Sequence, residues 1–234
     1  MHIKRTKIYH SSNFSIYFGN KTDPKPSKAF GLIQTKLQAK SFTVFTQVHG
    51  TQGHLVSRKD SAKRTGDILL TCNPGCAIGV LTADCLPIIF YDPNNHACAI
   101  AHAGWRGTVA GVAQETVRLM HSSFRTDPSN LQVYFGPSAQ VCCYEVDSGF
   151  SRYIEKQHHS TVFIFKNKKL FFDNAKLNHL KLCEVGVLEK NISLKHNVCT
   201  ICDCSYHSYR RDGKSYGHQV TAVSLTEPRH NCSI

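Results

Sequence analysis

The stretch Thr82–Gly107, "TADCLPIIFYDPNNHACAIAHAGWRG", decides the fold. It holds two short apolar runs, "LPIIFYD" and "HACAIAHAG", separated by "DPNN", a cluster of turn formers. Upstream, "GDILLT" and "CAIGVL" supply two more such runs, and the four together read as a largely buried sheet. Beyond the stretch the period changes. From Thr108 onward Val109, Val112, Ala113, Thr116, Val117 and Met120 recur at helical spacing, until the chain breaks near Asp127-Pro128.

Working outward, "FTVFTQVHG" reads as a strand ending at His49 and Gly50, and "LQVYFGPS" as another. Phe150, Tyr153 and Ile154 mark a short helix, and "TVFIFKNKKLFFD" is a hairpin with Lys-Asn-Lys-Lys at its tip. Asp173 or Asn174 caps a helix carrying Leu177, Leu180 and Leu182 that stops at Gly186, and "QVTAVSL" is the last strand. Residues 1–40 are polar, with breakers in "KTDPKPSKAFG", and are expected to form an irregular arm packed on the core, or short strands laid on it. Mixed strands and helices without repeats predict an α/β (α+β) fold, a mixed β-sheet sandwich flanked by helices, with residues 1–234 as one catalytic domain.

At 234 residues and 41% hydrophobic content the chain is long enough to bury one substantial core. No apolar run approaches the eighteen residues of a membrane span, and "MHIKRTKIYHSSNF" has no apolar signal region, so the expected location is cytoplasmic. The eleven cysteines are irregularly spaced and odd in number, which suits buried or metal-ligating thiols better than a disulfide framework. A net charge of +12 favours anionic ligands. The basic residues are spread over Lys4 to Lys7, Lys21 to Lys40, Arg58 to Arg64, Lys166 to Lys169 and Arg210 to Lys214. They lack interleaved aromatics, so a nucleic-acid-binding module is a poorer reading than solvated basic faces.

His49, Cys85 and His102 all fall at strand ends or breaks, where side chains of one sheet can converge at its rim. Two imidazoles and a thiolate form a zinc set that leaves a fourth position open; copper is a weaker fit. The same residues also read as hydrogen-bonded histidines around a small core cysteine, or with Cys85 as the nucleophile of a cysteine hydrolase. In "HAGWRG", Gly104 and Gly107 bracket Trp105 and Arg106 at a strand-to-helix turn, a candidate phosphate-binding element beside His102. Asp84 is a candidate catalytic acid or base, or a turn cap, and Asp67 carries the same two readings. In "SYRRDGKSYGHQ", Arg211 is favoured over Arg210 for binding an anion. "CTICDCSYH" offers Cys199, Cys202, Cys204 and His207 as a small structural zinc set, whereas adjacent Cys142 and Cys143 would point to opposite faces of a strand and read as packing.

The segments "QVHG", "TADCLPIIFYD", "AHAGWRGTVAGV", "GPSAQVCCYEV" and "CTICDCSYHSYRRDG", in this order, resemble the multicopper polyphenol oxidase (laccase-like) family. Its members are also described as purine nucleoside phosphorylases, and a bacterial branch as peptidoglycan editing factor. The resemblance spans roughly residues 43–225, and the first forty match poorly. It implies a single-domain sandwich, with zinc on His49, Cys85 and His102. It further implies phosphorolysis of adenosine, inosine and methylthioadenosine to base and ribose 1-phosphate or its methylthio analogue, with adenosine deaminase activity. Purine nucleosides and phosphate are then the partners. The older name implies copper-dependent oxidation of phenols, but no His-x-His pair supplies the extra ligands, and nothing specifies a peptidoglycan precursor. One departure is Gly217-His218, where the family commonly has Gly-Arg.

Overall fold

A computed structural model describes residues 7–58 and 64–227; Cys232 and the basic residues Lys4, Arg5, Lys59 and Lys63 lie outside them. Fourteen strands, among the described residues, form three sheets. In chain order they are β1 (Lys7–His10), β2 (Phe14–Phe18), β3 (Ser41–Thr43), β4 (Gly53–Leu55), β5 (Ile68–Thr71), β6 (Cys76–Thr82) and β7 (Leu86–Asp92). Then follow β8 (Ala97–Ala103), β9 (Gln132–Phe135), β10 (Glu145–Val146), β11 (Phe163–Lys166), β12 (Lys169–Phe172), β13 (Ile192–Ser193) and β14 (Gln219–Leu225). The helices are α1 (Pro26–Lys36), α2 (Trp105–Val109), α3 (Val112–Phe124), α4 (His159–Val162), α5 (Asn174–Glu184) and α6 (Tyr209–Asp212).

A five-stranded sheet, ordered β1-β2-β14-β6-β3, packs on a six-stranded sheet, ordered β13-β9-β7-β8-β5-β4. Between them lie Ile16, Phe18, Ile78 and Val223 from one side and Leu69, Ile89 and Ile100 from the other. The outer face of the six-stranded sheet carries α3 and α5, through Ile88, Phe90, Ala99, Val117 and Leu182. The outer face of the five-stranded sheet carries α1, through Tyr17, Ala222, Ile33 and Leu37. Covering both faces explains the near-continuous apolar runs of β7 and β8: even and odd positions bury against different layers, so no polar alternation survives. This is the expected mixed sandwich flanked by helices.

Of the two forms expected for residues 1–40, the described part takes short strands with a helix after them in place of an irregular arm: β2 is wholly buried and pairs with β14 along its length. Two sequence expectations are corrected. The strand read through "FTVFTQVHG" ends at Thr43, and His49 sits in a loop with φ of 62°. The helix expected from Thr108 is two helices, because Gly111 takes a φ of 88° that ends α2 and starts α3. Two other expected elements are present. Asp173 caps α5 by accepting from the Lys176 amide, and β11 and β12 turn at Asn167-Lys168, both left-handed as a tight hairpin turn requires.

The two-sheet interface should dominate stability. Ile100→Ala, which empties a fully buried site between the sheets, is expected to cost about 2–5 kcal/mol. Urea unfolding should show a lower midpoint at unchanged slope.

Candidate metal centre and its cavity

The β7–β8 hairpin brings two of the ligand-type residues together. Its antiparallel register sets Leu86 against Ala103 and Pro87 against His102, so Cys85, one residue before β7, falls beside Gly104. His49 comes from a different direction, the loop after β3. What holds that loop is Asp67, a fully buried carboxylate just before β5. Asp67 accepts hydrogen bonds from the amides of Val48 (3.2 Å), His49 (2.9 Å) and Gly50 (2.7 Å). Its Oδ1 also lies 2.8 Å from Nδ1 of His102. With Nδ1 donating to Asp67, the Nε2 edge of His102 is left to face Cys85 and His49.

The potential ligand atoms of His49, Cys85 and His102 all lie within 4.8 Å of one another, with Cys85 Sγ 3.9 Å from His49 Nε2. Gly104 makes room for them: a Cβ there would stand 2.8 Å from the His49 ring and 3.1 Å from the Cys85 sulfur. A Cβ on Gly107 would press on the Gly50 carbonyl at 3.1 Å. The two glycines bracketing Trp105-Arg106 therefore have a steric reason in the packing of the ligand loop. The electrostatics agree with a cation site. Burial opposes ionisation of Cys85, yet His102 and His49 together pull its thiol down to about 6. Burial likewise opposes charge on His102, but the Cys85 thiolate and Asp67 raise it to about 9. Burial raises the Asp67 carboxyl, and hydrogen bonds from His102, Gly50 and His49 more than offset this, leaving it below its ordinary value. A two-nitrogen, one-sulfur set with a buried carboxylate fixing one imidazole fits zinc held by three protein ligands.

The three residues line a cavity of about 730 Å³. Around it stand Trp105, Tyr144, Tyr209 and Tyr216, with the cations Arg64, Arg106 and Arg210. Arg106 lies 4.4 Å from the centre of the Trp105 ring, and Arg210 lies 5.1 Å from that of Tyr144. Asn174 also lines the cavity; its amide donates to the Ala103 carbonyl, while its buried Oδ1 has no partner. His218, the departure from the family pattern, is at the wall.

One expected role changes, and one of two readings gains support. Arg211 does not reach the cavity: its guanidinium is taken up by Asp212 and by the carbonyls of Thr200, Ile201 and Tyr206. Arg210, its neighbour, lines the cavity instead, because the first turn of α6 points consecutive side chains in different directions. Asp84, with φ of 85°, accepts from the Thr200 hydroxyl (2.6 Å), the Ser208 hydroxyl (3.0 Å) and the Arg210 amide (2.7 Å). Those three donors match the turn-cap reading and make it a clamp between the "TADC" turn and the segment that presents Arg210, while Asp84 also lines the cavity. Tyr144, Tyr209 and Arg64 were not singled out in sequence, since no spacing links them to the ligands.

Replacing Asp67 with Asn should weaken zinc binding about 10–100-fold while the chain stays folded, as loss of such an orienting partner does elsewhere; equilibrium dialysis would measure it. In chelator-stripped protein, alkylation of Cys85 should rise with pH around a midpoint of about 6, since the thiolate is the nucleophile. Zinc should protect it. A midpoint near the ordinary thiol value of about 8.5 would contradict the environment described.

Comparison with known proteins agrees with this architecture. The Bacillus licheniformis hypothetical protein YfiH superposes with a TM-score of 0.80 at 23% identity, covering 91% of this chain and 93% of that one. YlmD from Geobacillus stearothermophilus gives 0.79 at 25% identity, covering 96% and 90%. Among curated proteins, human "Purine nucleoside phosphorylase LACC1" is 32% identical over 76% of this chain, which spans only 42% of that protein. "Purine nucleoside phosphorylase CA_C1699" of Clostridium acetobutylicum is 33% identical, over 74% of this chain and 73% of that one. The family profile described as multi-copper polyphenol oxidoreductase laccase matches residues 4–226, so the N-terminal segment read as a poor match is included. On that match, the chain belongs to the multi-copper polyphenol oxidoreductase laccase family.

Proposed function

We propose that the chain is a zinc-dependent purine nucleoside phosphorylase with an accompanying adenosine deaminase activity, working as one catalytic domain in the cytoplasm. The observation that carries this reading is the convergence of His49, Cys85 and His102 in a cavity walled by aromatic rings and arginines. About 730 Å³ is of the size that encloses a small organic ligand. The names borne by the human and clostridial relatives point to the same reaction class. No helix among the described residues is long and apolar enough to cross a membrane, and ten cysteines there are free thiols.

In phosphorolysis a phosphate oxygen bonds to the anomeric carbon, the carbon–nitrogen bond to the purine breaks, and the departing base takes up a proton. Positive charge grows on the sugar as the base leaves. In this reading Arg106 and Arg210 hold phosphate, while Tyr144 and Trp105 offer ring faces to the base. Asn174 Oδ1 is an acceptor for a sugar hydroxyl or base amine. A zinc ion on the three ligands would supply Lewis acidity to the reaction. Asp67 and Gly104 keep those ligands placed, and Asp84 keeps Arg210 at the wall. Deamination would use the same cavity, with water replacing the exocyclic amine and ammonia leaving. Copper-dependent oxidation is less well supported, because among the described residues this cluster gathers two histidines and no more.

The test is product analysis of metal-quantified protein with adenosine and inosine, with and without phosphate, beside Cys85→Ala. Free base appearing only with phosphate, and only in the zinc-loaded wild type, is the expected outcome. Inosine formed from adenosine without phosphate reports the deaminase. Zinc bound with neither product formed would refute the substrate assignment. Arg106→Ala should raise KM for phosphate about 10–100-fold, the worth of a charged hydrogen bond, with zinc content unchanged.

A further inference from the structure

The "CTICDCSYH" motif does not close on itself. Cys204 and His207 stand apart from Cys199 and Cys202, whose partners are Cys142 and Cys143, some sixty positions earlier in the chain. Cys142 and Cys143 are not on a strand: they lie in the turn before β10, where the amides of Cys143 and Tyr144 both bond to the Gln140 carbonyl. A turn lets adjacent side chains converge where a strand would splay them. All four sulfurs lie within 4.8 Å of one another, with Cys202 Sγ 3.1 Å from Cys143 Sγ and 3.6 Å from Cys142 Sγ.

These distances suit an ion at the centre. A zinc–sulfur bond of about 2.3 Å in a regular tetrahedron spaces its sulfurs by about 3.8 Å. The separations also exceed a disulfide bond, about 2.05 Å, and all four are free thiols. Burial opposes ionisation of Cys199, but the nearby backbone amides of Cys202, Gln140 and Ile201 favour its thiolate. Backbone N–H groups beside a coordinating sulfur help to compensate its charge. The two loops are stitched by other bonds as well, including Thr200 amide to Ser138 carbonyl and Gln140 to Asn197.

We propose that Cys142, Cys143, Cys199 and Cys202 form a second, closed metal site that binds a structural zinc ion. Four protein ligands leave no open position, so the ion acts by stapling, each thiol giving up its proton as it ligates. What it staples bears on the cavity. The first loop delivers Tyr144 to the wall, and the second carries Thr200, which donates to Asp84. These cysteines are positioning residues, acting on the cavity through Tyr144 and the Asp84 clamp. This inference does not depend on which substrate the cavity takes.

Cobalt(II) titration of the reduced, metal-stripped full chain tests it, read by thiolate-to-cobalt charge-transfer absorption. Wild type should take up two equivalents. Cys85→Ala should keep one equivalent with the strong absorption of a multi-thiolate tetrahedral centre, and Cys143→Ser/Cys202→Ser should lose that component alone. X-ray absorption at the zinc edge of zinc-loaded Cys85→Ala needs no change to the cluster and should show four sulfurs at about 2.3 Å. Added zinc should raise the melting temperature of Cys85→Ala and not that of a Cys85→Ala/Cys143→Ser/Cys202→Ser chain. Failure of Cys85→Ala to bind cobalt or zinc, a zinc shell containing nitrogen or oxygen, or a mass showing a disulfide within the cluster after purification under reducing conditions would each overturn the proposal.

Discussion

Asp67 is the group on which the site depends. It is fully buried, and a carboxylate without partners there would be strongly disfavoured. Its charge is matched by three consecutive backbone amides of the "QVHG" loop and by the His102 ring. That single group thus joins a strand end to the His49 end of a loop whose only β-pairing among the described residues is the isolated Thr46–Thr65 bridge. His49 adopts left-handed backbone geometry that a branched or bulky residue rarely takes, and the amides bound to Asp67 account for its being held so. The third residue comes from the β7–β8 hairpin, whose register needs only local chain reversal at "DPNN". The candidate metal centre is therefore half local hairpin and half long-range tether.

Asp84 does for the opposite wall what Asp67 does for the ligands. Both stand just before a strand of the six-stranded sheet, and both use a carboxylate to collect donors from distant parts of the chain. Asp84 gathers Thr200, Ser208 and the Arg210 amide, so the aromatic and cationic wall is fixed relative to Cys85, its immediate neighbour. The four cysteines beyond it bring the Tyr144 turn and the Thr200 loop side by side. Rigid placement of polar groups around a cavity is what a site needs if binding energy is to be spent on a transition state.

Legibility followed sequence distance. Local features were readable: the buried runs of β5 to β8, the Asp173 cap, the "KNKK" hairpin and β14 match the folded chain closely. β2 was hidden because "FSIYF" is surrounded by polar turns and is buried by layers that come from far along the chain, including β14. The ligand-type residues could be named from residue chemistry and from family resemblance. Arg210 and Arg211 could not be told apart, since adjacent positions in a short helix differ only in direction, and direction depends on what packs nearby. Asp67 and Asp84 each had two readings in sequence, and the donors that decide between them lie 17 to 126 positions away.

By itself the sequence determined the mixed sandwich of strands and helices, the hairpin that aligns Cys85 with the end of β8, and the chemical character of a His-Cys-His set. These follow from periodicity, turn chemistry and ligand type, which are properties of neighbouring residues. Only the tertiary structure decided that His49 reaches the other two through Asp67 and that Arg210 lines the cavity in place of Arg211. It alone decided that Cys142 and Cys143 meet Cys199 and Cys202. In each case the partners are remote in the chain, and their encounter is fixed by how the buried layers stack, a constraint that no local pattern encodes.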